Sequence, residues 1–164
     1  MRHTISVLVE NEFGVLTRVA GLFSGRGFNI ESLSVAPTLD RSISRMTIVT
    51  SGDDNILEQI VKQLNKLIDT IKIIDFTGED FVERELALIK VTSEDRTRAE
   101  ILRICEIFRG KIVDVTPKSY TMEITGAPAK INAVLDLLKP LGVKEIVRTG
   151  PVVIGRGPQG WKSS

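Results

Sequence analysis

Residues 9–35 read V-E-N-E-F-G-V-L-T-R-V-A-G-L-F-S-G-R-G-F-N-I-E-S-L-S-V, and few folds accommodate that run. Just before it, Ile5, Val7 and Val9 alternate with Thr4, Ser6 and Leu8, the period-2 pattern of a strand with one buried face. After Gly14, Val15, Leu16, Val19, Ala20, Leu22 and Phe23 recur at helical spacing and form one apolar stripe. Gly25 and Gly27 supply the permissive backbone of a helix C-terminus, and a second strand starts at the disfavoured residue Asn29. The Asn11-Glu12-Phe13-Gly14 turn therefore presents backbone N–H groups at a helix N-terminus, where the macrodipole favours a carboxylate. Asn11 and Asn29 are expected to bring their amides to the same end of the sheet. Such a set of groups suits a free amino acid.

The rest of the chain repeats this architecture without repeating its letters. Strands are expected at 3–10, 28–37, 43–51 and 70–76, with helices at 15–25 and 54–67; the second helix carries Ile56, Ile60, Val61, Leu64 and Leu67. Residues 77–82 read as a linker. A second series follows: strand 83–92, helix 94–108 capped by Ser93, strands 110–116 and 119–126, helix 128–138 and strand 142–149. Two βαββαβ units define an α+β fold of the ferredoxin-like kind, antiparallel sheets with helices on one face. The expected domains are 1–77 and 83–164, the latter ending in a glycine-rich tail from Gly150 that reads as a loop or partner-binding segment.

A βαββαβ order hosts many functions, so residues must decide. Lys and Arg number 22 against 21 acidic residues, split 8 against 9 in residues 1–78 and 14 against 12 beyond, which leaves no field for nucleic acid or anionic membrane. The central strands lack the aromatics that stack RNA bases. No run approaches the roughly 18 apolar residues of a membrane span, and no signal-peptide pattern opens the chain. The single cysteine fits a reducing cytoplasm. One histidine and one cysteine, without a carboxylate cluster, make a poor catalytic set. A metal chaperone would need paired cysteines after the first strand, where this chain has Asn11 to Gly14. Structural readings stand beside functional ones: Gly14 as a positive-φ turn residue, Asn11 as a helix N-cap, Cys105 as core, His3 as a surface or interface residue, and Arg41 with Arg45 as a solvated face or a contact for a partner's carboxylates.

The strings H-T-I-S-V-L-V-E-N, S-L-S-V-A-P-T, D-R-S-I-S-R-M-T-I-V-T and R-E-L-A-L-I-K-V (residues 84–91) resemble the regulatory small subunits of acetohydroxyacid synthase, also called acetolactate synthase. The resemblance covers essentially the whole chain. It implies an N-terminal ACT domain for amino-acid sensing and dimerisation, followed by an ACT-like C-terminal domain. It further implies a non-catalytic subunit that binds valine, activates the catalytic large subunit and makes it valine-sensitive in branched-chain amino acid biosynthesis. Thiamine diphosphate, FAD and Mg would all be carried by the large subunit. The effector site it implies comprises Asn11, Phe13, Gly14, Val15, Leu16, Asn29 and Ile30, with Ser34 and Gln59 as influential neighbours. Two chains would pair along the strand at 28–37. A free-standing ACT sensor of another amino acid and a scaffold with a vestigial pocket are the competing expectations.

Overall fold

The computed structural model describes residues 1–161. They fall into two compact units: 1–82 together with the segment from Val152 onward, and Glu83–Pro151. The tail expected to belong with the second domain thus groups with the first.

The first unit runs β1 (Arg2–Glu10), α1 (Val15–Gly25), β2 (Ile30–Pro37), β3 (Ile43–Ser51), α2 (Asp54–Lys66) and β4 (Thr70–Asp75). Its antiparallel sheet has the order β2-β3-β1-β4, which leaves β2 at one edge. Period-2 and period-3.6 apolar residues meet as the patterns require. Ile5, Val7 and Val9 of β1 and Met46 and Ile48 of β3 pack against Val15, Val19 and Phe23 of α1 and Leu57, Ile60 and Leu64 of α2. Leu16 and Ile56, counted in the stripes, remain exposed. Helix α1 ends with Gly27 at φ +72°, and Phe28 N–H bonds Phe23 O at 2.9 Å, the six-to-one closure that a left-handed residue permits.

The opposite face of this sheet is buried as well. Thr4, Ser6, Leu8, Thr47 and Val49 are all under 10% exposed. Arg45, Leu8 and Lys72 form a row across β3, β1 and β4. The two cations hold the tail: Arg45 Nη2 donates to Val153 O at 2.9 Å and Lys72 Nζ to Trp161 O at 3.0 Å. The tail contains a short strand (Val152–Gly155) with Val153 buried, a feature the glycine-rich composition did not suggest. His3, expected at the surface, lies on the interior strand β1 at 1% exposure. Its Nδ1 and Nε2 bond Thr77 Oγ1 and Gly52 O, each at 3.2 Å.

The second unit repeats the order with β5 (Phe81–Thr92, its first two residues in the first unit), α3 (Arg98–Ile107), β6 (Lys111–Val115), β7 (Ser119–Gly126), α4 (Pro128–Leu138) and β8 (Val143–Arg148); a single 3-10 turn, Lys139–Leu141, follows α4. The sheet order β6-β7-β5-β8 again places the second strand of the unit at an edge. Ile101, Ile104 and Cys105 of α3 and Ile131, Val134 and Leu138 of α4 fill its core. Burial pushes the Cys105 thiol up from its ordinary pKa, which keeps it protonated and inert. Helix α3 starts four residues later than expected, at Arg98 with Thr97 as its cap, because residues 93–97 fold into a separate turn. No helix among the described residues is long and apolar enough to cross a membrane.

Candidate functional site

The turn between β1 and α1 is fastened by its backbone. Glu10 N–H bonds Asp69 O at 2.9 Å and Asn11 N–H bonds Ser42 O at 2.8 Å, which ties the strand end to two neighbouring loops. The Asn11 side chain donates to Arg41 O at 3.0 Å. It therefore braces the turn against the β2–β3 connection, and Gly14 is the helix cap instead. At φ +80° and ψ −6°, Gly14 occupies the left-handed region, where an L side chain is strained. It offers no cap side chain, and the first turn of α1 holds no acidic residue. The N–H groups of that turn have neither an intrahelical partner nor a competing carboxylate on their own helix.

An arginine presides over this turn. Arg18 N–H bonds Gly14 O at 3.0 Å, its Nε and Nη2 reach Asp69 Oδ2 at 2.9 and 2.7 Å, and Nη2 lies 3.5 Å from Phe13 O. A Cβ placed on Gly14 would come within 2.9 Å of Arg18 Nη1. Asp69 is almost fully buried, so the guanidinium has a fixed anchor. Carboxylate oxygens of Glu10, Glu12 and Asp69 lie within 4.8 Å of one another on the same side. Neither Arg18 nor Asp69 was singled out from the sequence. The available signal was a lone cation one turn into an otherwise apolar helix, but its partner lies 51 residues away.

The other expected residues divide into two places. Phe13 is fully exposed, Leu16 is 45% exposed and Val15 is buried in the core. Asn29 is not at the Asn11 end of the sheet, contrary to expectation. Register sets Arg2 opposite Ser51 and Ile30 opposite Thr50 at one end; Glu10 faces Ile43 and Pro37 faces Ser44 at the other. Within one chain, Asn11 and Asn29 are thus separated by the whole of β2, about 25 Å for eight residues. Asn29 is exposed; its carbonyl accepts from Thr50 Oγ1 at 2.7 Å, while its side-chain amide has no hydrogen bond among the described residues. Ile30 is half-buried beside it. Gln59 lines a polar hollow with Arg26, at the C-terminal end of α1 and so far from Gly14. Ser34 pairs with Thr47 on the sheet face away from the helices.

The equivalent turn of the second unit is closed upon itself. Arg98 donates through Nε to Ser93 Oγ at 3.0 Å, through Nη1 to Asp95 at 2.9 Å and through Nη2 to Pro117 O at 2.9 Å. Arg96 pairs with Glu94 at 2.8 Å, and Thr97 Oγ1 accepts from Glu94 N–H at 3.2 Å.

Comparison with known proteins accounts for both units. Residues 5–72 match the family described as "AHAS small subunit-like ACT domain", and residues 84–157 match "Small subunit of acetolactate synthase". The chain is 58% identical to the acetolactate synthase small subunit of Aquifex aeolicus, over 94% of this chain and 81% of that protein. It is 53% identical to that of Mycolicibacterium smegmatis, over 96% and 93%. Its fold superimposes on the crystal structure of the small subunit from Thermotoga maritima with a TM-score of 0.87 at 44% identity, covering 97% of this chain and 99% of that one. The chain belongs to the family of acetolactate synthase small subunits, which are regulatory and not catalytic.

Proposed function

We propose that this chain is a valine sensor that pairs with the catalytic large subunit of acetolactate synthase, activates it and makes it inhibitable by valine. The observation that carries the reading is the uncapped, acid-free N-terminus of α1 behind a left-handed glycine. There the N–H groups of residues 13–16 receive the effector carboxylate, assisted by the dipole.

The rest of the site comes from a second copy. Edge strand β2 invites pairing. Two chains joined antiparallel along it, about a two-fold axis near Ile30 to Leu33, carry the partner's Asn29 toward this chain's Asn11 end. The separation of the two asparagines within one chain thereby becomes a reason for the dimer. Oxygens near Asn11 and the partner's Asn29 take the ammonium group, while Leu16 and the partner's Ile30 enclose a branched aliphatic side chain. Val15, buried beneath the turn, contributes its N–H and little side-chain surface. Ser34 lies along the paired edge, whereas Gln59 acts from the Arg26 end of α1. The first unit carries sensing and dimerisation, and the second couples them to the enzyme. Thiamine diphosphate, FAD and Mg belong to the large subunit, and the complex is cytoplasmic. Family membership disfavours a free-standing sensor.

The test is acetolactate formation by the large subunit with and without this chain, titrated with valine. Stimulation followed by valine inhibition is expected. Stimulation that valine leaves untouched would leave a scaffold role, and no stimulation would remove the pairing.

A further inference from the structure

Arg45 stands apart from two other arginines of the chain. Arg18 neutralises the nearly buried Asp69, and Arg148 neutralises the nearly buried Glu85. Arg45 is half-buried between Ala36 of β2 and Leu8 of β1. Its Nε and Nη2 reach Ser6 Oγ at 3.3 and 3.2 Å, and Nη2 also holds Val153 O. All of these acceptors are neutral. Among the described residues no carboxylate lies within ion-pairing distance of it, and Nη1 has no acceptor. Burial lowers its pKa from the ordinary arginine value. Charges removed from water are ordinarily paired, so the guanidinium has one counter-ion fewer than its surroundings call for.

A groove of about 280 Å³ opens beside it, wholly within the first unit. Ser34, Ala36 and Pro37 of β2, Thr47 of β3 and Val152 to Ile154 of the tail line it together with Arg45. That volume lies just under the usual range of roughly 300–1,000 Å³ for drug-sized ligands. The lining includes no carboxylate to receive an ammonium group. We propose that this groove binds a short aliphatic monocarboxylate, with the carboxylate on Arg45 Nη1 and the hydrocarbon against Ala36, Pro37 and Val153. Arg forks bind carboxylates more strongly than neutral oxygens, and the half-buried setting of Arg45 strengthens such a pair. The site shares Ser34 with the proposed effector set but none of the residues of the turn 11–16, and it does not rest on the valine reading.

Isovalerate and its uncharged counterpart isovaleramide are the probes, titrated into the isotopically labelled full chain and followed by NMR. Saturable isovalerate shifts are expected at Arg45 Nε–H, Ala36, Thr47 and Val153, with isovaleramide at least tenfold weaker. Gly14→Asp leaves the binding unchanged. Arg45→Gln abolishes it, but also releases Val153 O, so Ala36→Phe provides the second variant: it fills the groove, keeps Arg45 and also abolishes binding. Equal affinity for acid and amide would overturn the proposal. So would shifts confined to residues 11–16, the absence of saturation, or unimpaired binding by Ala36→Phe.

Discussion

The two turns at 11–14 and 93–97 occupy the same place in the same βαββαβ order and are built in opposite ways. In the second unit the charged side chains of the turn are already engaged with one another and with its backbone. Arg98 is spent on Ser93, Asp95 and Pro117, and Glu94 and Asp95 bring their own negative charge. In the first unit the cap is a bare glycine, the first helical turn has no acid, and the arginine is moored to a buried aspartate behind the turn. One turn satisfies itself, and the other is held ready from behind. The repeated order thus shares a scaffold between two turns whose polar residues differ.

Gly14→Asp should have the largest effect on this contrast, because it puts a carboxylate at the bare helix cap. The new carboxylate would sit where the effector's carboxylate is proposed to bind, on a residue at φ +80°. Repulsion at such short range in a partly dry site exceeds the 1–3 kcal/mol typical of allosteric coupling, by roughly the Coulomb estimate for a few ångströms. Activation of the large subunit should persist with no valine inhibition. Full inhibition in the reconstituted Gly14→Asp complex would move the site elsewhere.

The next effect in size concerns the tail that the first unit holds behind its sheet. A fragment ending near residue 80 lacks the tail that Arg45 and Lys72 hold. Losing the burial of Val153 and two charge-assisted hydrogen bonds costs roughly 2–4 kcal/mol. For a unit of this size that lowers Tm by on the order of 10 °C or more. A peptide of residues 151–164 added to the fragment should recover much of the loss. An equally stable fragment would mean that the tail is decoration, and the first unit would then end at residue 82.

Element order and most boundaries were legible because they are local. The α1 and β3 spans, Val15–Gly25 and Ile43–Ser51, follow from apolar period and glycine stops. What depends on distant partners was not legible. Strand register, not composition, puts Asn29 at the opposite end from Asn11. The Arg18–Asp69 pair joins residues whose neighbours give no hint of each other. His3 and the face of Ser6 and Leu8 look half-solvated from alternation alone; the structure buries both. The four-residue strand in the tail is too short to show a period.

Arg18→Ala should weaken the open turn without removing it. Asp69 would lose its partner, but Arg18 is nearly half exposed, so the destabilisation is about 1–2 kcal/mol rather than the full value for a buried pair. Because Phe13 O and the Gly14 position lose their neighbour, the valine dose-response should shift by more than the stability loss explains, and Arg18→Lys should restore part of it. A stability change with an unmoved dose-response would make the pair purely structural. Asn29→Ala should shift the same curve by about tenfold, the worth of one hydrogen bond to a charged group, and leave Tm unchanged because the side chain is exposed and makes no hydrogen bond among the described residues.

The smallest effect belongs to the closed turn and is the one that makes the comparison sharp. Arg98→Ala removes three contacts, yet Asp95 is fully exposed and Arg98 partly so, and exposed ion pairs contribute only about 0–1 kcal/mol each. The second unit should lose a few degrees of Tm at most. Its turn would still carry Glu94 and Asp95, whose charges oppose an incoming carboxylate at the start of α3. Calorimetry on the variant should therefore give the same valine stoichiometry and an affinity within about twofold of the parent chain. A second class of valine sites appearing in Arg98→Ala would show that the arginine, and not the acids, keeps this turn shut. A second class already present in the unaltered chain would show that a self-satisfied turn can still accept an amino acid, and the contrast between the two units would then lie in affinity alone.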